Sequence, residues 1–175
     1  MKRQREHFIV DGYNVINVWP ELVKLTDLSE ARDRLVHALA EYGAYEKYDV
    51  TVVFDALFTA DEEHYEKVNA HLDVVYTGEG ETADSYIERL AYDSVRRGRE
   101  VHVVTSDGAE QSLILGAGAY RMPSREFHRI ICRTKKKIRE EYLSKVVLPL
   151  SRNEVASRID SNTAAKLDAI RKNKK

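Results

Sequence analysis

One cysteine, Cys132, stands in 175 residues. A single thiol excludes an intramolecular disulfide framework and any CxxC metal site. No apolar run approaches the roughly 18–20 residues of a membrane-spanning helix, so no membrane partner is expected. A glycine-rich phosphate loop of the Walker type is missing, which argues against a P-loop nucleotide hydrolase. There are no internal repeats and no Gly- or Ser-rich linker, so the chain reads as one domain. The opening residues MKRQREHFIVDGYN start basic, but their apolar stretch is only Phe8-Ile9-Val10. That is too short for a secretory signal. The expectation is a soluble, cytoplasmic protein. The histidines, at 7, 37, 64, 71, 102 and 128, have no metal-ligand spacing on a shared helix, so a zinc site is not expected. Cys132, beside Ile130 and Ile131, is expected to be a buried structural thiol.

What the sequence does contain can bury a core. Hydrophobic residues make up 43% and charged residues 33%, too apolar for a disordered chain. Lys+Arg total 28 and Asp+Glu 29, a net charge of -1. That sum hides an uneven distribution. From Arg121 onward there are 16 Lys+Arg and 6 Asp+Glu, leaving 12 and 23 in residues 1–120. The chain is an acidic body with a basic tail. Arg133, Lys135, Lys136, Lys137 and Arg139 form a dense cluster in that tail. Such a patch suits a phosphate backbone, although a solvated helix face has the same composition.

Four short apolar runs read as strands: His7–Val10, Val50–Phe54, Leu72–Tyr76 and Val101–Thr105. Their near-continuous apolarity points to a parallel sheet buried on both faces. Between them, a helix is expected from an N-cap at Ser29 to about Tyr48, with Ala31, Leu35, Ala38, Leu39 and Tyr42 inward. Glu62–Asn69 could make two helical turns. Thr82 to about Arg97 is a stronger helix, stopped by Gly98. Asp107-Gly-Ala-Glu110 resembles a capping box opening a short helix to about Leu115, and Ala119–Met122 could be a weak fifth strand. Ser124 would cap a long helix to about Leu148. Ser151 to Glu154 reads as another capping box, and a weak helix is expected over 163–171. Alternating strands and helices predict an α/β domain with a mainly parallel sheet and helices on both faces.

The acids follow the strands. Phe8-Ile-Val-Asp11, Val52-Val-Phe-Asp55 and Val103-Val-Thr-Ser-Asp107 each carry an aspartate at or just past a strand end. In an open parallel sheet these ends share one edge, where ligands bind. Asp84, in Glu81-Thr-Ala-Asp84, opens the helix after the remaining strand and belongs on the same rim. Clustered carboxylates repel unless a cation intervenes. Hard cations such as Mg²⁺ accept a few carboxylates plus waters and phosphate oxygens, and can activate water in phosphodiester cleavage. Taken singly, Asp107 could be an N-cap, Asp84 could offset a helix dipole, and Asp55 and Asp11 could serve turns. Their shared edge favours one acidic site. Asn14, one turn beyond Asp11, could orient a metal-bound water or hold a carboxylate. Gly12 would let backbone approach the site. Thr82, Thr105 and Ser106 could bond phosphate or position the acids. Trp19 is more readily a core aromatic than a base-stacking platform, and Tyr13 is the better candidate for substrate contact.

Four motifs in order, Asp11-Gly-Tyr-Asn-Val-Ile16, Val53-Phe-Asp-Ala56, Glu81-Thr-Ala-Asp84 and Val104-Thr-Ser-Asp107, resemble those of NYN-domain nucleases within the wider PIN-like group. The resemblance is to the YacP-type bacterial branch, whose members include a ribosome-dependent mRNA endoribonuclease. It implies a PIN-like three-layer α/β/α sandwich with a mainly parallel central sheet and C-terminal helices. Residues 1–122 would be the nuclease core, and 123–175 a basic helical extension docked on the same domain. It implies Mg²⁺- or Mn²⁺-dependent cleavage of mRNA on translating ribosomes. By motif position, Asp11, Asp84 and Asp107 match the acidic metal-site residues, Asn14 the asparagine after the first acid, and Asp55 the second strand-end motif. Glu81 and Glu88 are further acids near Asp84. The alternative is a non-catalytic RNA- or ribosome-binding module on the same fold. A phosphate-transfer protein fits less well. Tyr13 stands where a haloacid-type phosphatase needs a second aspartate, and a receiver domain needs an acidic pair where Asp11 stands alone.

Overall fold

A computed structural model describes residues 5–55, 64–78, 80–106, 108, 114 and 116–146. The expected helices over 107–115, 151–154 onward and 163–171 fall outside the described residues in whole or nearly so. Six strands are present: β1 (His7–Asp11), β2 (Asp49–Phe54), β3 (His64–Lys67), β4 (Leu72–Tyr76), β5 (Val101–Val104) and β6 (Tyr120–Met122). They form one sheet in the order β3-β4-β2-β1-β5-β6. Every pairing is parallel except β3 with β4. The described helices are α1 (Gly12–Ile16), α2 (Pro20–Val23), α3 (Leu28–Glu46), α4 (Ala83–Arg96) and α5 (Ser124–Val146).

Period-two alternation sends strand side chains into two separate cores. Phe8 and Val10 of β1, with Val50, Val52 and Phe54 of β2, join α1, α2, α3 and α5 in one cluster. Ile9, Val53, Val75, Val101 and Val103 meet Ala83, Ile87 and Ala91 of α4 on the other face. The sheet is therefore the middle layer of an α/β/α sandwich. Each large, fully buried side chain, such as Leu35, Ile87 or Phe127, contributes about 1.5–3 kcal/mol over its exposed state.

Three sequence expectations change. The segment containing Glu62–Asn69 supplies an edge strand, not helical turns. Asn69 Oδ1 accepts from His71 N (2.7 Å), Val68 N donates to Leu72 O, and this turn folds β3 back along β4. The four residues of β3 are all exposed, so they lack the apolar alternation that marks a strand. The N-cap of α3 is Asp27, which accepts from Ser29 N (2.8 Å); Ser29 is inside the helix. Ala31, Leu35, Ala38, Leu39 and Tyr42 are buried as expected. At the start of α5, Ser124 is buried and spends its hydroxyl on another element, described below, while Glu126 N and Phe127 N bond to Pro123 O.

Contacts divide the chain into two compact units, Met1–Lys136 and Lys137–Lys175. The first contains the sheet and the elements packed on it. The described part of the second is the last turns of α5.

Candidate nuclease site at the strand edge

The parallel register sets the edge. Val10 of β1 is level with Val52 of β2 and Val104 of β5, and Val53 is level with Asp11 and Val75. Asp11, Asp55, Thr77, Thr105 and Ser106 all leave the sheet on this side. Thr77 N still bonds to Phe54 O and Thr105 N to Met122 O, so the strand ends remain tied beyond the ladder.

Asp11 caps α1. Its Oδ1 accepts from Asn14 N (3.0 Å), which satisfies one of the orphan donors of a helix start. The turn is tight because Gly12 sits under Phe54: a Cβ at Gly12 would overlap the Phe54 ring. The missing Cβ therefore leaves room for the Phe54 ring of β2. Tyr13 packs edge-on to the same ring and its hydroxyl accepts from Arg32 Nη1 (3.2 Å).

Asn14 is a clip between three elements. Its Oδ1 accepts from Ser106 N (2.9 Å) and from Ser124 Oγ (2.7 Å). Two donors on one oxygen settle which amide atom faces them. Ser124 N in turn donates to Ser106 Oγ (3.1 Å). The network joins the start of α1, the segment after β5 and the start of α5. Ser124 is fully buried. Asn14 and Ser106 are candidate site residues by sequence, whereas Ser124 reads only as a helix cap; its partner lies 110 residues away, which no local pattern encodes.

Asp55 does for α4 what Asp11 does for α1, from a distance. Its Oδ2 accepts from Ala83 N (3.2 Å), while Thr82 caps the same turn by accepting from Ser85 N (3.2 Å). Asp84 lies next to Ala83 in that first turn and is exposed. A carboxylate at a helix N-terminus is favoured by the helix dipole. Glu81 pairs with Arg89 (2.5 Å), so it is engaged by α4 itself, and Glu88 is exposed on α4. Asp107 lies outside the described residues. Ser106, immediately before it, is the residue held by Asn14.

The carboxylates of Asp11, Asp55 and Asp84 are hard oxygen donors with several lone pairs each, the chemistry Mg²⁺ or Mn²⁺ takes. Among the described residues, two groups of three ligand atoms lie within 4.8 Å of one another, and neither is at this edge. The expected ligand set includes Asp107, which lies outside the described residues.

The basic residues divide by geometry. Arg133, Lys135, Lys136, Lys137 and Arg139 are all exposed on α5. Phe127, Ile131 and Thr134 mark its buried side. At about 100° per residue, the stripe opposite is Arg125, Arg129, Arg133 and Lys136, all exposed. Lys135 instead lines a cleft of about 460 Å³ with residues of α2 and α3. Arg125 and Arg129 were missed because they are spread one turn apart rather than adjacent in sequence.

Trp19 is in the core. It is buried, and its indole N–H donates to Ser124 O (3.0 Å). Cys132, by contrast, is exposed, which overturns the expectation of a buried thiol; it sits one residue past Ile131, off the inward face. No described helix is long and apolar enough to cross a membrane.

Residues 8–172 match the YacP-like NYN domain. The Bacillus subtilis (strain 168) protein YacP is 43% identical over 123 residues, 69% of this chain and 72% of that protein. The crystal structure of Rae1 (YacP) from Bacillus subtilis superposes with a TM-score of 0.68 at 34% identity, covering 95% of both chains. A substituted variant of Rae1 (YacP) gives 0.70 at 36% identity, covering 94% of this chain and 99% of that one. The chain belongs to the YacP-like NYN domain family, a nuclease-type family.

Proposed function

We propose that this protein is a divalent-metal-dependent endoribonuclease that cleaves mRNA, acting on translating ribosomes in the cytoplasm. The observation that carries the reading is that Asp11 and Asp55 follow adjacent parallel strands at the same edge, with Asp55 bonded to the α4 N-terminus that bears Asp84. Asp11 and Asp84, with Asp107 by motif, would hold Mg²⁺ or Mn²⁺. When bound, such an ion lowers the pKa of a water and stabilises the leaving oxygen. Asp55 anchors the first turn of α4 and so sets where Asp84 stands. Asn14 anchors Ser106, which precedes Asp107 in sequence. Both are positioning residues in this account. The Arg125–Arg129–Arg133–Lys136 stripe suits the phosphates of mRNA or ribosomal RNA, with Lys137 and Arg139 on the following turns and Lys135 at the neighbouring cleft.

The test is cleavage of a message in a programmed, translating ribosome mixture. Asp11→Asn and Asp84→Asn should each abolish cleavage while ribosome binding and the thermal midpoint persist. Cleavage at the wild-type rate by both variants would overturn the catalytic assignment. Absence of cleavage by the wild type, with binding intact, would favour a non-catalytic RNA- or ribosome-binding module.

A further inference from the structure

A second group of potential ligands lies on other elements. Glu21 of α2 and His128 and Cys132 of α5 bring a carboxylate, an imidazole and a thiol together, their ligand atoms all within 4.8 Å. His128 Nε2 is 2.9 Å from both oxygens of Glu21 and 3.5 Å from Cys132 Sγ. His128 and Cys132 are four residues apart on α5, so one helix face presents both. Spacing among histidines alone does not reveal the pair, because the second ligand is the cysteine.

A proton on Nε2 joins His128 to the Glu21 carboxylate as an ion pair, and that pairing leaves the thiol outside it, because the protonated nitrogen can accept nothing from the thiol. Without it, the thiol can donate to Nε2, but the nitrogen lone pair then faces two carboxylate oxygens. A single cation satisfies the nitrogen, the sulfur and the carboxylate at once.

We propose that Glu21, His128 and Cys132 form a binding site for a borderline-soft divalent cation of the Zn²⁺ type, separate from the acidic strand edge. The donor set of nitrogen, sulfur and oxygen is the one zinc takes, whereas Mg²⁺ takes oxygen. Bond lengths of about 2.0–2.1 Å to nitrogen and about 2.3 Å to sulfur give a tetrahedral N–S edge of about 3.5–3.6 Å, which matches the 3.5 Å separation found. The corresponding N–O edge is about 3.3 Å, against 2.9 Å here. Glu21 is exposed and opens that gap by a small side-chain rotation. Water completes the coordination.

Binding replaces one proton: the Cys132 thiol becomes a thiolate bonded to the ion, and the proton goes to solvent. His128 binds through the Nε2 lone pair and keeps its proton on Nδ1. Because the thiol gives up a proton to bind the ion, affinity rises with pH. The ion ties α2 to the first half of α5, beside the Trp19 indole that already bonds to Ser124.

Titration of the purified full chain with Co²⁺ and then Zn²⁺ tests the site. One equivalent of Co²⁺ should give a sulfur-to-cobalt charge-transfer band that one equivalent of Zn²⁺ erases. Cys132→Ser should abolish the band, and His128→Gln should weaken Zn²⁺ affinity about tenfold or more. Zn²⁺ should raise the thermal midpoint of wild type and of Asp84→Asn equally. Absence of the band, or a Zn²⁺ response unchanged by Cys132→Ser, would overturn the proposal. Such a sulfur-free response would point instead to the group of Glu6, Glu100 and His102 or to the strand edge.

Discussion

Replacing Asn14 with Ala removes one acceptor from two donors, and their surroundings decide the cost. Ser124 is fully buried, so its hydroxyl loses a 2.7 Å bond with no water to replace it. An orphaned buried donor costs about 1–3 kcal/mol. Ser106 is exposed, and its N–H is re-solvated at a cost of about 0.5–1 kcal/mol. The expected loss is about 1.5–4 kcal/mol. At roughly 2–4 °C per kcal/mol for a chain of this size, the thermal midpoint falls by about 3–16 °C. Ser124→Ala removes the hydroxyl itself and leaves Asn14 bonded to Ser106, so it costs about 1 kcal/mol. The double variant leaves no orphaned hydroxyl at 124. Its destabilisation should fall short of the summed single losses by about 1 kcal/mol or more, read from urea melts of all four proteins. Additivity within about 0.5 kcal/mol would refute the clip.

Three further outcomes follow from other parts of the molecule. Burial, reinforced by the Arg99 charge, pushes the His7 imidazole down to about 4 from 6.5, and its ring nitrogens bond to Ser94 Oγ and Thr51 Oγ1. The unfolded chain therefore takes up this proton first, so the stability from neutral His7 is complete above about pH 6.5 and is lost as pH falls towards 4, up to about 3 kcal/mol. His7→Gln should flatten that part of the stability–pH curve, and an unchanged slope would contradict the assignment. Gly12→Ala should destabilise by about 1–3 kcal/mol because its Cβ overlaps the Phe54 ring; a neutral effect in denaturant melts would show that the ring yields freely. Alanine at Arg125, Arg129, Arg133 and Lys136 should weaken RNA binding and flatten its salt dependence more than Lys135→Ala does, and equal slopes would remove the stripe as the RNA-facing surface.

The sheet and the strand-end positions of Asp11 and Asp55 were legible because they depend on local pattern. Runs such as Phe8–Val10 and Val50–Phe54 carry strand propensity and burial in consecutive residues, and the aspartates follow directly. What stayed hidden depends on distance in the chain. β3 is four exposed residues whose strand identity comes only from pairing with β4. The Asp55 bond to Ala83 spans 28 residues, so a side chain that reads locally as a turn residue proves to cap another helix. Ser124 reads as a helix cap by position, yet its hydroxyl is taken by Asn14. Cys132 has apolar neighbours in sequence but faces outward, because one helical residue turns the side chain by about 100° from Ile131.

Mapping of RNA ends across the transcriptome tests whether Asp84 supports RNA cleavage. Cells lacking the protein would be compared after restoring wild type or Asp84→Asn at equal abundance, with and without a translation inhibitor. Message ends should appear with wild type, disappear with Asp84→Asn, and disappear when translation is blocked. The same ends in cells carrying Asp84→Asn would contradict that role.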